Sequence, residues 1–284
     1  MRRPSVFWFL IAAGLLSGCA TAPELNGLAS ADADQMALAS AEAPMRQSAS
    51  ANGSPQGLLR LAADMESHGQ KDVALSVYKR AVTVSGETSN AYVQLGDACQ
   101  RAGKLDEAVG AYREALVKSP DDATALLGIG TVLVRQGKPE EAIDPLVKAA
   151  PTVNTAAAYD RLGVAQTLVG ALPEAEASFD KAATLAPDDL DIRTNGALAA
   201  ALAGHDDTAV ATMRDVVKSQ AAELRHQRDF IIVLGLIGRG AEAPDAASSR
   251  VSRNELRRLL ARAGSIRAMA SPKARAQALG TITG

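Results

Sequence analysis

Tryptophan is almost missing from this chain of 284 residues, aromatic side chains make up only 3% of it, and cysteine occurs twice. The one tryptophan, Trp8, sits with Phe7 and Phe9 in an apolar run at the start, so any core further along is built without tryptophan and with few aromatic side chains. Two cysteines, Cys19 and Cys99, cannot supply the disulfide framework of a small secreted domain. Of three histidines, His68 and His205 lie beside turns and His226 in a charged segment, and they match no metal-ligand spacing. No glycine-rich phosphate loop precedes a lysine, and no nucleophile, base and orienting acid fall into a pattern. Catalytic and metal residues are therefore none on this reading, and neither cofactor nor small-molecule substrate is expected. A formal net charge of −2 lacks the basic excess that a nucleic-acid partner calls for.

What the chain does have is a period. Gly69, Gly103, Gly137, Gly170, Gly204 and Gly238 lie 34, 34, 33, 34 and 34 residues apart, and each is followed five residues later by an alanine: Ala74, Ala108, Ala142, Ala175, Ala209 and Ala243. Such a period signals stacked units, each too small to bury its own apolar face. In the clearest copy Tyr92, Leu95 and Cys99 recur at helical spacing up to Gly103, which suits the left-handed position that closes a helix. A second helix carries Ala108, Tyr112, Ala115 and Leu116 on one face and stops before Pro120. Ala108 falls where the two helices cross, and its small side chain lets the axes approach to about 8 Å. Cys99, on the apolar face, reads as a small buried packing residue.

These positions resemble the tetratricopeptide repeat. Tyr92, Leu95, Gly96, Ala108, Tyr112, Ala115 and Pro120 carry the resemblance in one copy, and Tyr159, Leu162, Gly163, Ala175, Phe179, Ala182 and Pro187 in another. The copy from Ala123 offers Leu126, Ile129, Gly130, Ala142, Leu146 and Ala149, and the first offers Leu58, Leu61, Ala62, Ala74, Tyr78 and Ala81. The last two copies are degenerate, with Gly196 and Ala197, then Phe230 and Ile231, where leucine and glycine belong. The fold class expected is all-α: a right-handed α-solenoid of about six helix hairpins over residues 55–250, with a capping helix over 251–270. Pro145, well inside a second helix, is expected to bend the array.

The two ends carry the information on place. Arg2 and Arg3 precede the apolar run from Val6 to Leu16, whose 11 residues are too few to span a membrane and suit a signal-peptide core. Leu16, Ser17, Gly18 and Cys19 resemble the lipobox of bacterial lipoproteins, which implies cleavage after residue 18 and acylation of Cys19. Several acyl chains on one residue anchor stably where one does not. Ala20 is not aspartate, and by the same resemblance the protein is expected on the outer membrane, facing the periplasm. Loss of Arg2 and Arg3 with the signal takes the charge from −2 to −4. Residues 19–54 form a lipidated cysteine and a tether rich in Ala, Ser, Gly and Pro, of about 30 Å end to end. At the other end Ser252 and Glu255 make a capping box, and Leu256, Leu259, Leu260 and Ile266 a single stripe. Residues 271–284 read as a basic, disordered tail. From Arg250 onward eight basic residues face the single acid Glu255, either as a solvated face or as a docking strip for an acidic partner or anionic lipid.

Function then falls to the concave groove lined by the first helix of each unit. By register the partner-binding positions are Asn90, Val93, Asp97, Gln100 and Arg101, then Leu127, Thr131 and Arg135, then Asp160 and Val164. This mixed strip suits a helix or extended segment with a few apolar anchors. It lacks the lysine and asparagine set of repeats that clamp chaperone carboxyl termini, so a chaperone co-factor role is not expected. The lipobox, the tether, the six copies and the run Asn195, Ala197, Leu198, Ala203, Gly204 together resemble the lipoproteins that assist Flp-type (tight adherence) pilus assembly. Asp229, Phe230 and Ile231 depart from that pattern in the last copy. The resemblance implies a scaffold that helps the outer-membrane secretin assemble or localise, with the secretin or another envelope protein as its partner. Adaptors for outer-membrane protein assembly or for cell-wall hydrolases remain the alternatives.

Overall fold

A computed structural model describes residues 53–246 and 251–283. The signal segment 1–18, Cys19 and the tether to residue 52 lie outside the described residues, as do residues 247–250. Five regular hairpins come first: α1 (Pro55–Ser67) with α2 (Lys71–Val84), α3 (Ser89–Arg101) with α4 (Leu105–Lys118), α5 (Ala123–Arg135) with α6 (Pro139–Val153), α7 (Ala156–Val169) with α8 (Leu172–Leu185), and α9 (Leu190–Ala203) with α10 (Asp206–Lys218). There follow α11 (Leu224–Leu236), a 3-10 turn (Gly240–Glu242), α12 (Ala243–Ala246), α13 (Arg253–Arg267) and α14 (Pro272–Thr283). Among the described residues there is no strand.

Local chemistry sets where the helices start and stop. The first helix of each regular unit begins on a capping side chain: Ser54, Thr88, Asp122, Thr155 and Asp189 each accept a bond from a backbone N–H two or three residues on. Each first helix ends at one of the six periodic glycines, all at φ between 73° and 87°. At Gly103 the N–H of Lys104 reaches back to the carbonyl of Cys99 at 2.9 Å and that of Gly103 to Gln100 at 3.1 Å, the paired bonds of a left-handed helix stop. The same pair recurs around Gly137, Gly170 and Gly204.

The periodic alanines lie at the crossings. Ala74, Ala108, Ala142, Ala175, Ala209 and Ala243 are all 1% exposed or less. Four residues beyond each of the first five, Tyr78, Tyr112, Leu146, Phe179 and Met213 are buried and fill the space between hairpins. Tyr112 is fitted to glycines on both sides. A Cβ on Gly96 of its own unit would lie 2.6 Å from the ring, and one on Gly128 of the next unit would overlap it.

Pro145 does not break or end its helix. α6 continues through Pro145 and Pro151 to Val153, held by the fully buried Leu146, Ala149 and Ala150. The one 33-residue interval is absorbed next to it, because two residues join α6 to α7 where four join the other regular hairpins, and α6 is longer than any other second helix. Asn154 takes the left-handed conformation at φ 47° to make that short connection.

The sixth unit departs from the pattern. Ile231 stands where other first helices carry glycine or alanine, and the second helix of this unit is only the four-residue α12. The close approach moves one turn along α11: Gly235 faces Ala263 of α13, and a Cβ there would lie 2.5 Å from the Ala263 methyl. α13 thus closes the array, with Ala263 and Ile266 buried and Leu256, Leu259 and Leu260 packed beside them. Its cap is half of the expected box: Ser252 accepts from the N–H of Glu255 at 3.2 Å, but the Glu255 carboxylate is taken by Arg228 at 2.7 Å. The expected disordered tail over 271–284 is corrected by α14, which folds back on α7 and α9 and buries Ala276 and Leu279.

Candidate functional site: the first-helix face

The first helices α3, α5, α7, α9 and α11 neighbour one another along the array, and polar side chains link them. Arg101 on α3 donates from Nε and Nη2 to the two carboxylate oxygens of Glu66 on α1, at 2.6 and 2.9 Å. That fork holds the Glu66 carboxyl below its usual range. Arg135 on α5 donates to the Gln100 carbonyl of α3 at 3.2 Å. Asn195 on α9 donates to Asp160 on α7 at 2.9 Å, while burial pushes the Asp160 carboxyl upward. At the start of α11, the N–H of Glu223 donates to Nδ1 of His226, so Nε2 carries the proton and donates to Asp191 on α9 at 3.0 Å. Arg225 grips the same Asp191 through two bonds of 3.1 Å.

The ten expected groove residues fall into three groups. Asn90, Arg101 and Arg135 are exposed, with Arg101 and Arg135 tied across unit boundaries as above. Asp97, Gln100, Leu127, Thr131, Asp160 and Val164 are half-buried. Asp97 and Gln100 meet the Tyr112 hydroxyl, at 2.5 and 3.1 Å, and Thr131 donates to the Leu127 carbonyl at 2.7 Å. Val93 is corrected: it is buried in the core and offers nothing to a partner, because its position turns toward the neighbouring helix. Cys99 is buried too, and burial pushes its thiol up, away from reactive thiolate.

α14 lies against this face. Ala276, Leu279 and Gly280 border a cavity of about 70 Å³ with Val164, Thr167 and Leu168 of α7, Phe179 of α8, and Asn195 and Leu198 of α9. Its first turn meets the α7–α8 turn at Gly170, and Lys273 pairs with Glu140 of α6 at 2.5 Å. Sequence reasoning misses Glu66, Asn195, Leu168 and Leu198 as parts of this face, since their roles depend on which units touch. It also leaves His226 in a charged segment with no partner, whereas the ring is buried against Asp191.

A second cleft, of about 380 Å³, opens between α8, α9 and α10 beside Phe179, Gly196, Ala197 and His205. It follows from Gly196 standing where other first helices carry a large apolar side chain, and His205 closes one side of it with a 2.7 Å contact to Glu176. Among the described residues no cluster of His, Cys, Asp and Glu has the makings of a metal site, and no helix is long and apolar enough to cross a membrane.

Three solved structures share the architecture. PilF of Pseudomonas aeruginosa is 16% identical, with a TM-score of 0.58 over 69% of this chain and 90% of PilF. A tetratricopeptide repeat protein from Parabacteroides merdae ATCC 43184 is 18% identical, with a TM-score of 0.58 over 68% of this chain and 77% of its own. YrrB, a TPR protein with an unusual peptide-binding site, is 20% identical, with a TM-score of 0.51 over 62% of this chain and 91% of YrrB. At these identities the likeness is one of fold. No curated protein matches the chain in sequence. The family described as the cilia and flagella-associated protein 70 middle TPR-like domain matches residues 58–260, and the chain belongs to that TPR-like family.

Proposed function

We propose that this protein is a lipid-anchored interaction scaffold on the periplasmic side of the outer membrane, and that its first-helix face holds a segment of the secretin of an Flp-type pilus system. The observation that supports a protein partner is the face itself: exposed Asn90 and Arg135 beside half-buried Leu127 and Thr131, on two helices fixed by their packing. Polar points around a few apolar anchors suit a peptide segment. The lipobox at Cys19 and the run from Asn195 to Gly204 support the place and the system.

Two variants test this together. Cys19→Ser removes the only sulfur of the lipobox, and the protein is expected in the soluble periplasmic fraction or unprocessed. Asn90→Glu with Arg135→Glu makes the open strip acidic without touching the Arg101–Glu66 fork, and Glu in the first turn of α3 suits the helix dipole. Membrane-solubilised wild type is expected to co-purify the secretin and the double variant to lose it, with the helical circular dichroism unchanged. Retention by both would move the binding site elsewhere. Capture of a cell-wall hydrolase or a β-barrel assembly component by wild type alone would assign the adaptor role instead.

A further inference from the structure

The C-terminal helix occupies part of the face to which a partner has just been assigned. We propose that α14 is a displaceable plug, and that the ground it covers on α7 and α9 is a docking site for a partner helix of related chemistry: a basic first turn followed by two apolar anchors three residues apart. The proposal rests on the reading of the first-helix face as a partner surface, and it names the kind of segment that part of the face takes.

Four observations carry it. Among residues 272–280 of α14 two side chains are buried, Ala276 and Leu279, whereas the regular helices of the array bury a whole inner stripe. The fit is incomplete: the cavity of about 70 Å³ left beside those anchors is walled largely by the apolar Val164, Leu168, Phe179 and Leu198. A partner with a larger side chain in the place of Ala276 fills that space and gains contacts that the resident helix lacks. The ion pair at its first turn holds it weakly, because Lys273 and Glu140 are each about half exposed, and such pairs contribute little. Finally, α13 packs far more extensively on α11 than on α14, so α13 stays held by α11 when α14 leaves.

The charge pattern fixes the polarity of the visitor. Glu140 stands at the rim where the first turn of α14 meets the Gly170 turn, and a basic residue there answers it. Deeper in, Thr167 and Asn195 are the polar members of the wall, and Asn195 is already committed to Asp160. The deeper part therefore selects for apolar bulk, and the rim selects for positive charge.

A fluorescent peptide with the sequence of residues 270–284 serves as the probe, read by anisotropy against three full-length or near-full-length proteins: wild type, Ala276→Glu with Leu279→Glu, and a chain ending at Ser271. Because a closed plug lowers apparent affinity by the fraction open, both unplugged proteins are expected to bind the probe at least about ten-fold more tightly than wild type. An Ala276→Met probe is expected to bind them more tightly still, and a Leu279→Glu probe not to bind. Equal binding by all three proteins, or none by either unplugged protein at full helicity, overturns the proposal. Loss of helicity in both unplugged proteins overturns it as well, since α14 would then be part of the fold. If unplugging strengthens probe binding while the Asn90→Glu, Arg135→Glu protein still captures the secretin, the plug stands and the assignment of the open strip falls. If the strip variant loses the secretin but unplugging changes nothing, the reverse holds.

Discussion

Tyr112 shows how much one side chain decides in this array. It is fully buried, its hydroxyl donates to Asp97, and its ring lies between Gly96 and Gly128, which belong to successive units. Gly96 is legible in the sequence because it sits in the same unit as the ring. Gly128 is not, because its partner lies in the preceding unit and no local spacing reports that. The consequence is a pair of substitutions with opposite signs. Gly128→Ala forces a methyl group into a ring that cannot move, and is expected to lower stability by about 1–3 kcal/mol. Gly196→Ala places its methyl 3.4 Å from the Phe179 Cβ, an ordinary contact facing the second cleft, and is expected to raise stability by about 0.5–1 kcal/mol through helix propensity. Urea midpoints followed by circular dichroism compare them. Equal midpoints would mean that the ring is not clasped between units.

At the scale of the element, the ends of the helices are readable and the roles of the last two only half so. Ser, Thr or Asp before each regular first helix and glycine after it are local signals, and α13 announces itself by Ser252 and its leucine stripe. α14 gives no such warning. Up to residue 280 its buried anchors are the small Ala276 and Leu279, so its helical state depends on α7 and α9 being there to receive it. α11 carries a different kind of hidden feature. Burial pushes the Asp229 carboxyl up to about 6 although His226, Arg225 and Arg228 draw it down; Asp191 adds to the rise. A carboxyl whose folded value exceeds its unfolded 3.8 binds more protons in the folded chain, so its contribution to stability is greatest below pH 4 and is lost as pH rises through 6. Asp229→Asn is therefore expected to stabilise the protein at pH 7.5 by about 1–3 kcal/mol, and to make little difference at about pH 4. Thermal melts of both proteins across that range test this. A stabilisation that does not change with pH would trace to packing rather than to charge.

Across the whole molecule, polar partners recur at separations close to the repeat length. Lys79 and Glu107, Lys104 and Asp72, Lys118 and Glu87, and Arg239 and Asp207 are ion pairs between residues 28 to 32 positions apart, each joining neighbouring units. Exposed pairs of this kind add little stability each, and the array is held by its buried alanines and the large residues between hairpins. The period makes that architecture legible. It does not reveal which face is open, because the closing of the far part by α14 depends on a segment outside the repeat. The central claim is that a partner docks on the first-helix face, and site-specific photo-crosslinking tests it most directly. A photoreactive residue is placed in turn at Asn90 and Arg135 on the open strip, at Val117 on a second helix, where the side chain is 72% exposed, and at Arg258 on the basic strip. The account expects the secretin to be crosslinked from Asn90 and Arg135 and from neither of the other two. Crosslinking from Val117 or Arg258 with none from Asn90 or Arg135 would contradict it.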